Sequence, residues 1–204
     1  MRPALALLLL LAGAPAFAQD AAALAPGQDH SRIDGRAGAG LQGIAAVNLA
    51  AGTSNAQANL RAIALGDSGG ATLSARQAID ATGADPQRDA RAVLAGAAFE
   101  AGQGVLGLNQ AAGSANAQLN MLAIGPDAMA AFGQQVDNLA LAAIRVDTGA
   151  ASATATPAAA PVREARIEGA ALRAPSGILQ LNQTAGAGNA SANAIVLHLP
   201  GGTP

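Results

Sequence analysis

The chain has 204 residues, a formal net charge of −2 and no cysteine, tryptophan or tyrosine. Hydrophobic residues make up 51% of it but aromatics only 1%; alanine supplies much of the rest and buries little area, which excludes an ordinary bulky core. The 11 basic residues are all arginine and scattered, so there is no basic footprint for nucleic acid or acidic membranes, and without cysteine no disulfide can stand in for core packing.

Residues 1–18 read as a secretory signal peptide: Met1-Arg2-Pro3 is a short basic head, Ala4 to Ala12 an apolar run, and Ala16-Phe17-Ala18 a small-x-small cleavage site before Gln19. No later stretch approaches the ~18 to 20 apolar residues of a membrane helix, so no integral membrane segment is expected after cleavage. The protein is therefore expected to be secreted or at the cell surface, with the periplasm as the alternative. Residues 19–32 form a short, alanine-rich N-terminal segment.

Three similar units follow, at 33–65, 94–126 and 167–199, with linkers at 66–93 and 127–166 and a tail at 200–204. Their centres align without gaps: Gly43–Asn59 "GIAAVNLAAGTSNAQAN", Gly104–Asn120 "GVLGLNQAAGSANAQLN" and Gly177–Asn193 "GILQLNQTAGAGNASAN". Upstream, Gly35, Gly96 and Gly169 match, with Ile33, Leu94 and Ile167 before them and Ala37, Ala98 and Ala171 after. Downstream, an aliphatic residue returns at Ile63, Ile124 and Leu197. The units keep a length of about 33 residues while the linkers differ, so the units must meet each other and the linkers need only reach. In the linkers, Arg76-Gln77-Ala78-Ile79-Asp80 weakly echoes Gly133-Gln134-Gln135-Val136-Asp137, as a decayed strand would. The "TGAASATATPAAAP" ending at Pro161 reads as a flexible loop.

Within each unit, N-A-Q-A-N, N-A-Q-L-N and N-A-S-A-N alternate polar and apolar residues with period two. This puts the polar groups on one face of a strand. Gly52, Gly113 and Gly186 precede these runs in short turns. Each unit is expected to be strand, turn, strand, with a shorter strand in front. The spacing of three between Ile44 and Val47 fits a strand less well, and "NLRAIAL" has helical character. The fold class expected is all-β: three stacked repeats forming a β-solenoid or cross-β stack, with flexible linkers.

A carboxamide carries both donor and acceptor, so parallel layers about 4.7 Å apart let like residues bond in columns. The candidate columns are Asn48/Asn109/Asn182, Asn55/Asn116/Asn189, Asn59/Asn120/Asn193 and Gln57/Gln118, the last interrupted by Ser191. Ile44/Val105/Ile178 and Val47/Leu108/Leu181 would stack beside them. No charged residue occurs in the three aligned centres, as stacking requires, because like charges in a column would repel.

These repeats, behind a signal peptide and split by unequal linkers, resemble the fibre subunits of the Fap-type bacterial functional amyloids. The chain is more loosely similar to curli-like repeat proteins and surface adhesins. The resemblance covers the three units and implies a cross-β layer per repeat, subunits joined end to end outside the cell, self-association or pairing with related fibre subunits, and outer-membrane export machinery as a partner. It implies a role in surface adhesion or biofilm matrix. The main Fap subunit carries a cysteine pair near its C-terminus that is missing here, which leaves a minor or nucleating subunit open. The alternative is a monomeric β-solenoid acting as a surface or periplasmic binding protein or adhesin.

Nothing in the chain points to catalysis, a cofactor or a metal. His30 and His198 are isolated and lie near opposite ends, a poor ligand set without cysteine. Asp34 and Glu168 occupy equivalent positions, but the middle unit has Ala95 there. No nucleophile elbow, phosphate loop or zinc-protease motif occurs.

Overall fold

The computed structural model describes residues 27–64, 70–82, 84–126, 128–136 and 160–199. The expected signal peptide, most of the second linker and the tail lie outside the described residues. The elements are all strands: β1 Gln28–Ile33, β2 Gln42–Ala51, β3 Ala56–Ile63, β4 Thr72–Ile79, β5 Asp89–Leu94, β6 Gln103–Ala112, β7 Ala117–Gly125, β8 Met129–Val136, β9 Arg163–Ile167, β10 Ser176–Ala185 and β11 Ala190–His198.

Four parallel sheets result, with orders β1-β5-β9, β2-β6-β10, β3-β7-β11 and β4-β8. The pairing is in register throughout, so that Asn48 lies beside Asn109 and Asn109 beside Asn182. Each repeat is thus one rung, and the second repeat is the middle rung of the stack. Within a rung the chain snakes: β1 packs on β2, β2 on β3 and β3 on β4, with the same order in the other rungs.

This layering explains the awkward spacing of the aliphatic residues. Sheet two is flanked by sheets one and three, and Val47 and Ile44 point to opposite sides of one strand: Val47 packs against the cluster of the first sheet, while Ile44 stays 58% exposed. Leu108, in the middle rung, is fully buried against Ile33, Leu94 and Phe99 of the first sheet and its turn. Of the "NLRAIAL" segment, residues 59–63 run as the end of strand β3, because the polar face meets sheet two instead of water. Elsewhere alanine packs on alanine, as in the cluster of Ala90, Ala92 and Ala112. Such small side chains let the sheets approach closely and leave backbone ladders to supply the cohesion.

The front strands begin four or five residues ahead of the aligned starts at 33, 94 and 167. The residues between the repeats also carry structure. Within the echo, residues 76–79 and 133–136 form a parallel pair, with Arg76 opposite Gly133 and Ile79 opposite Val136, which adds a fourth sheet to the first two rungs. Residues 84–88 then lie against the stack. The Asp85 N–H donates to Ser114 Oγ at 3.1 Å, and Arg88 grips the nearly buried Asp29 through Nε at 3.0 Å and Nη2 at 2.8 Å. In the second linker, the Val162 N–H donates to Asp89 Oδ1 at 2.8 Å. Most of its alanine- and threonine-rich run falls at 137–159, outside the described residues.

Candidate functional site

The turn between sheets two and three sets the geometry of the amides. Gly113 in the middle rung has φ 102°, in the left-handed region that favours glycine. A Cβ there would come closer than 3.0 Å to the Gly186 carbonyl oxygen of the next rung. Gly52 and Gly186 adopt the same conformation, as the turn reading expects. Two residues on, Ser54 and Ala115 also take positive φ where the third rung has Gly188, a demand of the turn that the composition did not reveal.

Directly after the turn, Asn116 Nδ2 donates to Asn55 Oδ1 at 2.8 Å and Asn189 Nδ2 to Asn116 Oδ1 at 2.8 Å. The same Oδ1 atoms accept backbone N–H groups of the rung above, at 3.0 Å for Asn116 on Asn55 and 3.2 Å for Asn189 on Asn116. The second column joins Asn120 Nδ2 to Asn59 Oδ1 at 2.9 Å and Asn193 Nδ2 to Asn120 Oδ1 at 3.0 Å. The third joins Asn109 Nδ2 to Asn48 Oδ1 at 2.9 Å and Asn182 Nδ2 to Asn109 Oδ1 at 3.0 Å.

The last two columns face each other in the seam between sheets two and three. Asn59 Nδ2 reaches Asn48 Oδ1 at 2.7 Å, Asn120 Nδ2 reaches Asn109 Oδ1 at 3.0 Å, and Asn193 Nδ2 reaches Asn182 Oδ1 at 3.0 Å. They form one double ladder that also donates to backbone carbonyls such as Leu108 and Ala58. In the middle rung Asn109, Asn116, Asn120 and Gln118 are all buried. Burial raises the stakes of each bond, because an unmade one leaves a desolvated polar group.

Gln57 Nε2 donates to Gln118 Oε1 at 2.6 Å. Where the third repeat has Ser191, the Gln118 amide turns to the Gln110 carbonyl oxygen and to Thr184 Oγ1 at 3.1 Å. A further pair escaped the sequence reading. Gln183 Nε2 donates to Gln110 Oε1 at 3.0 Å on the opposite face of sheet two. Gln110 reaches the Ser31 and Val93 carbonyls of sheet one. Its signal was the shared Asn-Gln dipeptide at 109–110 and 182–183; Leu49 in the first repeat hid it.

One charge enters the seam. Arg61 stands where the other rungs have Leu122 and Ile195. Its Nη2 donates to the Ala45 carbonyl at 2.6 Å, while its buried Nε has no partner. Burial pulls its pKa below the usual guanidinium value. A Cβ on Gly107 would press on Arg61 Nη2, so the head group lies beside the middle rung.

The remaining candidates are not brought together. His30 ends up on β1 and His198 on β11, in different sheets. Asp34 is held by Arg32, whose hydrogen bond is the main cause of a lowered Asp34 pKa, and it also accepts the Gly35 N–H. Glu168 pairs with Arg166 instead of meeting Asp34. Among the described residues no group of three His, Cys, Asp or Glu side chains is placed to hold a metal ion, and no helix is long and apolar enough to cross a membrane.

A family model described as the functional amyloid protein FapB/FapC family matches residues 14–200. With nearly the whole length matched, the chain belongs to that family. No solved structure matches it at a significant level.

Proposed function

We propose that this FapB/FapC-family chain is an exported structural subunit, of minor or nucleating type, of extracellular amyloid-like fibres that serve surface adhesion or a biofilm matrix. It works without catalysis and adds to copies of itself or to related subunits end to end. An export apparatus in the outer membrane delivers it.

The observation that carries this reading is the pair of open ends. Among the described residues, β2 and β10, each ten residues long, are paired on one side only, by β6. Such long edges template further strands. Moreover, every Asn–Asn bond between rungs runs one way, from an upper Nδ2 to a lower Oδ1. A copy seated on rung three would continue each column, with its Asn48 amide donating to Asn182 Oδ1. The test is fibre diffraction and thioflavin binding of the purified protein. Reflections near 4.7 Å and about 10 Å are expected. Protein that refolds to β structure yet stays monomeric at high concentration would overturn the proposal.

Arg61 favours the second reading, a monomeric β-solenoid, because an inward-pointing charge blunts an edge strand. The two readings part on Arg61→Leu. Removing a buried donor that lacks a partner, at the loss of one bond to Ala45, should stabilise the folded chain by on the order of 1 kcal/mol. If the chain is a fibre subunit, urea unfolding moves up while assembly changes little. If Arg61 keeps the chain monomeric, fibres appear only in the variant.

A further inference from the structure

The outer row of sheet one carries charges whose order differs between the two ends of the stack. On β1 the side chains of Asp29, Ser31 and Ile33 are buried, while His30 and Arg32 are more exposed. His30 lies in register with Arg91 of the middle rung, and Arg91 with Glu164 of the third. Arg91 Nε is 3.6 Å from Glu164 Oε2, and Glu164 is also paired with Arg166. Along the stacking direction the row therefore reads imidazole, guanidinium, carboxylate.

In the single chain, the charged groups beside His30 on this face are Arg91 across the ladder and Arg32 along the strand, and Arg32 is engaged by Asp34. Asp29 turns inward to Arg88, and Asp89 accepts from Val162. Among the described residues, His30 thus has guanidinium groups as its charged neighbours on this face and no carboxylate. If a second copy adds in register above rung three, its His30 falls about 4.7 Å over Glu164. The neighbouring positions are mixed: the incoming Asp29 falls over Arg163, while the incoming Arg32 falls over Arg166, Arg32 and Arg166 each being paired with a carboxylate of its own strand end, Asp34 and Glu168.

We propose that the rung-one edge of one copy, at His30, seats on the rung-three edge of another, at Glu164, so that protonation of His30 strengthens the joint. This rests on the fibre reading above. The sign follows from the charges. An imidazolium at this position gains Glu164 as a neighbour only in the joint, and a charge that gains an opposite partner on assembly favours assembly. Assembly is then favoured as pH falls through the histidine range near 6.5 and loses this contribution as pH rises above it. A half-exposed pair of this kind is worth roughly a two- to fivefold change in critical concentration.

The test measures the critical concentration of untagged protein between pH 7.5 and 6.0 at constant ionic strength. All variants share a general gain on approaching the isoelectric point near 5.5, so the comparison is between chains at each pH. Wild type and His198→Gln should show the extra two- to fivefold drop, and His30→Gln and Glu164→Gln should lack it. His30→Lys should assemble two- to fivefold better than wild type at pH 7.5, and this advantage should shrink at pH 6.0. Urea unfolding of each variant separates joint effects from folding. An acid response in His30→Gln or Glu164→Gln equal to that of wild type overturns the joint. If wild type forms no fibres at any pH, the fibre reading falls and takes the joint with it.

Discussion

Gly104→Ala is expected to abolish the stack. Gly104 has φ 115°, and a Cβ there would lie closer than 3.0 Å to the Gly43 carbonyl oxygen. The backbone strain alone costs about 1–3 kcal/mol. The overlap is with backbone, which has no rotamer by which to move aside, so the β2–β6 ladder has to part. A total above about 4 kcal/mol would consume most of the stability of a small domain, about 5–15 kcal/mol. Circular dichroism and urea unfolding should report loss of the folded rungs. Gly133→Ala, where φ is not positive and nothing lies within 4 Å, should be nearly silent. Gly43→Ala is the informative comparison. Gly43 has φ 101° but no neighbour within 4 Å in the single chain. In a stack continued through the same register, its Cβ would press on the Gly177 carbonyl of the copy below. Gly43→Ala should therefore keep a folded, somewhat weakened chain and lose fibre growth in sedimentation assays.

The second large effect is expected at Asn120, the hub of the double ladder. Its Nδ2 serves Asn59, Asn109 and the Leu108 carbonyl, and its Oδ1 accepts from Asn182 and Asn193. In Asn120→Asp the acceptor survives but the donor is gone, and a carboxylate sits in a site only 1% exposed. An uncompensated buried charge costs about 3–5 kcal/mol. Salt should not restore assembly, because the cost is desolvation and not long-range repulsion. Acid should restore part of it. Burial raises the pKa of such a carboxyl, and the protonated form can donate to one neighbour again, so stability absent at neutral pH returns as pH falls through the raised value. Assembly of Asn120→Asp that matches wild type at pH 7 would show that the amide seam contributes little. Asn116→Asp, with its two Nδ2 bonds, to Asn55 and the Gly186 carbonyl, should show the same pattern with a smaller loss.

Much of this architecture was legible in the amino-acid sequence because an in-register parallel stack turns alignment into adjacency. Residues at the same place in successive repeats become neighbours along the stacking axis, one rung apart. Aligning Asn48 with Asn109 and Asn182, or Gly52 with Gly113 and Gly186, was thus already a statement about contacts. The period-two alternation of Asn55, Gln57 and Asn59 assigned them to one face, and the absence of charge in the aligned centres agreed with stacking.

Neighbours across a rung are another matter, because they depend on how each turn folds one sheet onto the next. Alignment says nothing about that direction. Folding of one sheet on the next sets the Asn48 and Asn59 columns in one seam, carries Gln110 under sheet one and brings Arg61 into the seam beside Gly107. It also pairs the faint echo in the linkers as a fourth sheet. What repeats along the stack follows from the order of residues alone, since equal residues at equal spacing satisfy one another there. Which face meets which was decided by the left-handed turns at 52–54 and 113–115, whose backbone angles bring β3 and β7 back over β2 and β6.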